Sequence, residues 1–455
     1  MKEKIEQVNR YIKENRHRVN HCYRGKFHLL PPIGWMNDPN GFVYYKNEYH
    51  LFYQFYPYDS VWGPMHWGHA KSKDLIHWEE LPVALAPSEV YDRNGCFSGS
   101  AIVIDDKLVL IYTGHVEEGN VRTETQCMAV SHDGIHFEKY AGNPVIGEKH
   151  INGIADIADF RDPKIMKYDN HYYTVVASKT EDNRGQILLF ESDNCFDWRF
   201  KSVLLVGKED QGIMWECPDY FEVDGKEIFM FSPQGITRMY PNYENMYQIG
   251  YSVVEEGIEN VDKLDNFTLL DYGHDFYASQ TFLDEDNNRV LIGWMYVPDS
   301  SYTNPTTKFG YQNCLTVPRV VNYKNGKVRQ TLHKSVKDLL GSDIKSNDFN
   351  KNTWYYKQEH GKEFEISVAD FKVSYDNKEL KVSFGTSGYG RDDRKYKLDL
   401  KNVEIVFDSS SIELFANDGS FALSTRFYPE NHNVNISATD YLTKELGAIE
   451  IREEN

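Results

Sequence analysis

The sequence predicts an all-β protein: a five-bladed β-propeller followed by a C-terminal β-sandwich. Two observations carry this reading. Five segments share one design of apolar strand, tight polar turn and apolar strand: 42–54, 101–114, 164–178, 220–232 and 281–295, their turns recurring about every 55–65 residues. A unit of that length holds about four strands, which is one propeller blade, and five units give five blades. From about Asp348 onward the pattern changes to short alternating strands with Asn, Asp, Gly and Ser between them, as in a sandwich.

Taken in order, residues 1–27 form an N-terminal extension in which Ile5, Val8, Tyr11 and Ile12 recur at helical spacing, so a short amphipathic helix is expected. The propeller spans 28–341. Its turns are Lys46-Asn47, Asp105-Asp106, Asp169-Asn170, Asp224-Gly225 and Asp286-Asn287-Asn288, residue types that suit two- and three-residue hairpins. A second signature, SKDLIHWEE (72–80), SHDGIHFEK (131–139) and SDNCFDWRF (192–200), reads as an outer strand pair with one aromatic packed inward. Residues 322–341 read as a turn, a strand and a short helix leading out of the propeller. The sandwich spans 348–455. It shows no carboxylate constellation, so a stabilising role is expected; homo-oligomerisation through it and secondary sugar binding are further roles open to it.

Each blade carries a polar group at the start of its first strand. Asp38 lies nine residues before Asn47, Asp162 eight before Asn170, Glu216 nine before Gly225, Ser98 eight before Asp106 and Tyr277 nine before Asp286. The innermost strands of a propeller line its axis, so groups at equivalent heights converge on one funnel. Three carboxylates meeting there suit glycoside cleavage, in which one carboxylate attacks and another carboxylic acid protonates the leaving oxygen.

The motifs themselves, WMNDPNG (35–41), FSGS (97–100), FRDP (160–163) and WECP (215–218), resemble glycoside hydrolase family 32, the invertases and bacterial sucrose-6-phosphate hydrolases. WGPMHWGHA (62–70) and SKDLIHWEELPVALAP (72–87) are similar to it too. The resemblance runs strongly over about 28–340 and implies the same propeller and sandwich, with cleavage of β-fructofuranosides. One departure is FYQFYP (52–57), where Tyr56 stands at a position the family often fills with Asn.

Asp38 is assigned as nucleophile, with Asn37 and backbone donors expected to hold its pKa down. Glu216 is the acid/base, its pKa expected to be raised by a partly apolar setting and by Asp38. Asp162 is expected to accept hydrogen bonds from ring hydroxyls, with Arg161 keeping it ionised. The resemblance implies the same three roles. Asn37, Gln54, Ser98 and Tyr277 are candidate sugar donors and acceptors; Trp35, Trp62, Phe97 and Trp294 are candidate apolar faces, although Trp294 also fits the inner end of a blade strand. His66 and His69 have no adjacent carboxylate and are read as structural. Cys217 is either a tuner of Glu216 or a small buried residue.

A net charge of −19 argues against nucleic acid or an anionic membrane as partner, and the expected partner is a small-molecule sugar. The start of the chain is charged, without an apolar signal core, and no apolar run reaches membrane length. The six cysteines form no C-x-x-C pair, and no metal-ligand spacing appears, so reduced thiols, a cytoplasmic location and chemistry without metal or cofactor are expected. Arg16, Arg18, Arg24 and Lys26 form a basic run upstream of Asp38, read as a solvated face. A fructosyltransferase, an inverting hydrolase of pentose polymers and a non-catalytic sugar-binding propeller remain alternatives; the last predicts loss of an acid, and none is lost.

Overall fold

A computed structural model describes all residues except 169, 237–243, 255–256, 258–266, 450–451 and 454–455. Five four-stranded antiparallel units form the blades; four are built from consecutive strands, and the fifth is interrupted after its second strand. Their innermost strands are Gly34–Tyr45, Gly95–Ile104, Phe160–Tyr168, Met214–Val223 and Tyr277–Leu283. Each packs against the next, and the fifth returns to the first, closing a ring.

Local sequence explains the hairpins. Lys46 and Asn47, Asp105 and Asp106, and Asp224 and Gly225 all hold positive φ. Paired left-handed residues match the right-handed twist of two-residue hairpins, and Asn, Asp and Gly adopt that conformation at least cost. In the third turn, Asp169 lies outside the described residues.

The repeated Ser-x-Asp/Asn segments join the third and fourth strands of the first three blades. The hydroxyls of Ser72, Ser131 and Ser192 accept from the N–H of Leu75, Gly134 and Cys195, each at 2.9 Å. Asp74, Asp133 and Asn194 accept from the next turn. Leu75, Gly134 and Cys195 share a left-handed φ, and the aromatics Trp78, Phe137 and Trp198 that follow are buried, as expected.

The fifth blade corrects the reading of 322–341. Arg319–Lys324 and Lys327–Leu332 are its two outer strands, and only the helix Lys334–Asp338 leads away. The blade is interrupted: after its second strand, Arg289–Trp294, the chain runs through 295–318 before returning. On that excursion Tyr311–Gln312 pairs in parallel with Gly34–Trp35, so the first blade's sheet gains an extra inner strand. Arg452–Glu453 pairs in parallel with Glu79–Glu80 at its outer edge.

The N-terminal helix, Lys2–Asn15, buries Val8 and Ile12 and packs on the first blade's outer strand Trp78–Leu85. The basic run is not wholly solvated: Arg16 bonds Glu80 at 2.5 Å, and the Arg24 guanidinium lies 5.2 Å over the Tyr311 ring. Folding the extension back onto the propeller gives both cations partners, while Arg18 stays exposed.

The C-terminal part is a sandwich of two six-stranded sheets, beginning with the strand Leu340–Asp343. Its core stacks Trp354 on Phe407 at 3.8 Å, with Ile366, Val373, Leu380, Ile405 and Leu414 around them. Buried charges join it to the propeller. Arg319 bonds Glu413 and Asp271; Arg391 bonds Asp275; His28 lies between Asp408 and Glu413.

Candidate active site

A β-bulge interrupts the inner strand of every blade at one level. In the first it takes up Asn37 and Asp38, in the second Ser98, in the third Asp162 and Pro163, in the fourth Cys217 and Pro218, in the fifth Ala278 and Ser279. The first bulge residue is left-handed in the last three: φ is 62° at Asp162, 49° at Cys217 and 50° at Ala278. A bulge breaks the strict in-out alternation, so successive side chains can reach the funnel. The three carboxylates are therefore at the same level but at different offsets. Glu216 precedes its bulge, Asp162 is the first residue of its own, and Asp38 is the second. Equal counting from the turns conceals this.

The bulges surround a cavity of about 550 Å³ at one end of the propeller. It is lined by Trp35, Asn37, Asp38, Gln54, Trp62, Phe97, Ser98, Arg161, Asp162, Glu216, Tyr277 and Trp294, which are the twelve residues singled out in the sequence.

Asp38 is held from both sides. The Trp35 indole donates to Asn37 Oδ1 at 2.8 Å, which turns the Asn37 amide to donate to Asp38 Oδ1 at 3.0 Å. Ser98 Oγ donates to Asp38 Oδ2 at 2.5 Å. Burial nevertheless pushes the Asp38 carboxyl above its ordinary range, with Ser98 and Asn37 only partly offsetting it and Glu216 adding repulsion. This corrects the expectation of a depressed pKa: taking the carboxylate out of water outweighs two hydrogen bonds.

Glu216 is the hub of the wall. Arg161 donates to its Oε1 from Nε at 3.1 Å and Nη2 at 3.0 Å; Gln234 and Tyr277 donate to Oε2 at 2.6 and 2.8 Å. Arg161 also reaches Glu124 and Asp159 from Nη1. It is thus committed mainly to these three acids, not to Asp162 as the sequence suggested. Asp162 is pushed up to about 8, by burial first and then by the charge of Glu216, against the weaker pull of Arg161. Carboxylates this close and this dry cannot all ionise, so the cluster retains a proton at neutral pH.

Cys217 touches Asp38 and Asp162 instead of tuning Glu216. Its N–H donates to Asp162 Oδ2 at 2.9 Å, and its Sγ is 3.6 Å from an oxygen of each. Burial and these charges keep the thiol protonated. Of the apolar candidates, Trp62 stands 54% exposed at the rim and Phe97 stacks on His115 at 4.0 Å. Trp294 is buried with its indole N–H unpartnered. Tyr56 does not line the cavity; its ring lies against Gly63, beside Trp62, where any side chain would collide with it. His66 and His69 are buried away from the funnel, bonded to Pro64 O and to His50.

The sequence reading missed Arg122, Glu124, Gln234, Tyr296, Pro298 and Asp299, which complete the lining. A signal existed for the first two: VRTETQ (121–126) places charges on a strand whose continuation is apolar.

Residues 28–333 match the glycosyl hydrolases family 32 N-terminal domain, and residues 344–451 match the family 32 C-terminal domain. The chain belongs to glycoside hydrolase family 32. Within family 32 it is 42% identical over 332 residues to a sucrose-6-phosphate hydrolase of Zymomonas mobilis; the match covers 70% of this chain and spans 63% of that relative's length. It is 37% identical over 441 residues to a sucrose-6-phosphate hydrolase of Escherichia coli, covering 89% of each. Among solved family 32 structures, the Bombyx mori β-fructofuranosidase BmSUC1 superposes with a TM-score of 0.87 at 36% identity, over 99% of each chain.

Proposed function

We propose that this family 32 chain is a β-fructofuranosidase that releases terminal fructose from sucrose, from sucrose phosphorylated on its glucose, and from short fructo-oligosaccharides. The observation that carries this reading is the meeting of Asp38, Asp162 and Glu216 in one cavity with aromatic walls, in a chain with relatives named for that activity. The Bombyx mori neighbour has also been solved, as a variant, in complex with sucrose.

The reaction is a retaining double displacement. Ionised Asp38 attacks the anomeric carbon of the fructosyl unit. Glu216 delivers a proton to the leaving glucose oxygen, then removes one from the incoming water. Asp162 lies against Cys217 and Asp38 and faces the ring hydroxyls, where its hydrogen bonds strengthen as the ring becomes oxocarbenium-like. Gln234 and Tyr277 fix the Glu216 carboxyl on one side and Arg161 on the other. No step needs a cofactor. Sucrose itself is a substrate, with phosphate tolerated and not required, and the enzyme works on imported sugars in the cytoplasm.

The experiment is product analysis on sucrose, sucrose-6-phosphate, inulin and levan, with the anomer of released fructose followed by NMR. Asp38→Ala should abolish turnover for every leaving group. Glu216→Ala should impair poor leaving groups most and be partly rescued by azide, which attacks the fructosyl-enzyme. Inversion at the anomeric carbon, or identical responses of the two variants without rescue, refutes the assignment. A fructosyltransferase would give kestose-type products in place of free fructose at moderate sucrose concentration.

A further inference from the structure

We infer that Arg122 is the residue that lets this funnel accept a phosphate on the leaving sugar. The inference rests on the β-fructofuranosidase reading and names a specificity determinant within it. The fructosyl unit must sit at the bottom, among three carboxylates, where no phosphate could follow it. The leaving sugar must lie beside Glu216, nearer the mouth. A phosphate on that sugar therefore meets the wall that carries Glu216 and its neighbours.

That wall is where the cations are. Arg122 lies on the third strand of the second blade, Val121–Ser131, and lines the cavity with its side chain 40% exposed. Two of its nitrogens are anchored: Nε donates to Ala158 O at 2.6 Å and Nη2 to Asp159 Oδ1 at 2.5 Å. These bonds fix the plane of the guanidinium in advance, so little side-chain entropy is lost when a further ligand binds. Asp159 is not Arg122's alone, since it also accepts from Arg161 at 3.1 Å and Lys179 at 2.7 Å.

The charge around this point follows. Arg122, Arg161 and Lys179 face Asp159, Glu124 and Glu216, with His115 beside Glu124. Of the three cations Arg122 has the most exposed side chain, against 11% for Arg161 and 20% for Lys179. Elsewhere on the rim Asp299, bonded by the Tyr247 hydroxyl at 2.7 Å, would repel an anion. The funnel is thus polarised across its mouth, and a phosphate is directed to the Arg122 side while an uncharged glucose is still accommodated.

The test compares kcat/KM for sucrose-6-phosphate with that for sucrose in the wild type, Arg122→Gln and Arg122→Lys, each at two salt concentrations. Loss of one charge-assisted contact should lower the ester-to-sugar ratio at least about tenfold in Arg122→Gln, chiefly through KM. Arg122→Lys should recover part of it, and the wild-type ratio should fall with added salt. Glucose-6-phosphate, used as a product inhibitor, should lose affinity in parallel. An unchanged ratio in both variants, or a ratio insensitive to salt, overturns the inference while leaving the β-fructofuranosidase reading standing. A wild type that cleaves neither sugar refutes that reading first.

Discussion

Replacing His28 should expose how the two halves of the molecule are held together. His28 is almost fully buried at the propeller–sandwich boundary; its Nδ1 is 2.7 Å from Asp408 Oδ2 and its Nε2 is 2.8 Å from Glu413 Oε1. Asp408 also accepts from the backbone N–H of Lys26, Phe27 and His28. Burial alone would lower the imidazole pKa, but the two carboxylates overcome it and raise the pKa to about 9. A group whose folded pKa lies above its unfolded value stabilises the fold fully below the unfolded pKa, here 6.5, and loses that contribution as pH rises through about 9. At about 1.4 kcal/mol per pH unit, a rise from 6.5 to about 9 corresponds to about 3 kcal/mol. His28→Gln keeps much of the volume and removes the charge. Its deficit in unfolding free energy should therefore be on the order of 3 kcal/mol at pH 6, fall progressively as pH rises from 6.5 to about 9, and be small above that. Urea unfolding of both proteins, followed by tryptophan fluorescence between pH 5.5 and 10, measures the difference. A deficit that is the same at both ends of that range would mean that the imidazole is neutral in the folded protein, and the ion-pair account would fall.

Three further outcomes are expected. Because the carboxylate cluster holds its proton up to about pH 8, kcat/KM should decline on the alkaline side near that pH. Asp162→Asn, which removes one of the interacting charges, should shift this limb and raise the melting temperature in mildly alkaline buffer; a limb that does not move refutes the coupling. Ser98→Ala removes the hydroxyl that lowers the Asp38 pKa, so the acid limb of the profile should move to higher pH, and an unmoved limb would show that the 2.5 Å contact does not favour the ionised nucleophile. Gly273→Ala would place a Cβ 1.8 Å from Ser424 O on the sandwich strand Phe421–Arg426; overpacking of a backbone contact should cost about 1–3 kcal/mol or more, read as a lower melting temperature, and a neutral variant would mean that the two domains separate there at little cost.

What could be read from the chain was what is encoded locally. Hairpin pairs such as Asp105-Asp106 and the Ser-x-Asp loops carry their own geometry, so blade number and period were visible. The bulge offsets were not, because a bulge is defined by the neighbouring strand: Cys217 and Asp162 occupy equivalent places only once Asp219 is known to pair with Met230 and Lys164 with Val175, each two residues further on. Arg122 and Glu124 escaped notice because they reach the funnel from a third strand, across Arg161. The order of acidity within the cluster was misjudged for Asp38 for a related reason. A motif names hydrogen-bond donors, but burial in the assembled funnel decides the sign. In the sandwich, Asp408 and Glu413 sit in an alternating pattern whose polar positions look solvated, yet those positions face the propeller.

The parallel strands that flank the first blade impose an order on biosynthesis. The blade's own four strands are among the first to be made, but the partner of Gly34–Trp35 arrives only with Tyr311–Gln312, and that of Glu79–Glu80 only with Arg452–Glu453. Until then a nascent chain presents two unpaired strand margins, the kind of surface that recruits a second chain or a chaperone. The first blade's sheet is thus completed only by segments that lie far downstream of its own four strands. Substitutions near residues 311 and 452 would on this account reduce the yield of folded protein more than the stability of what does fold.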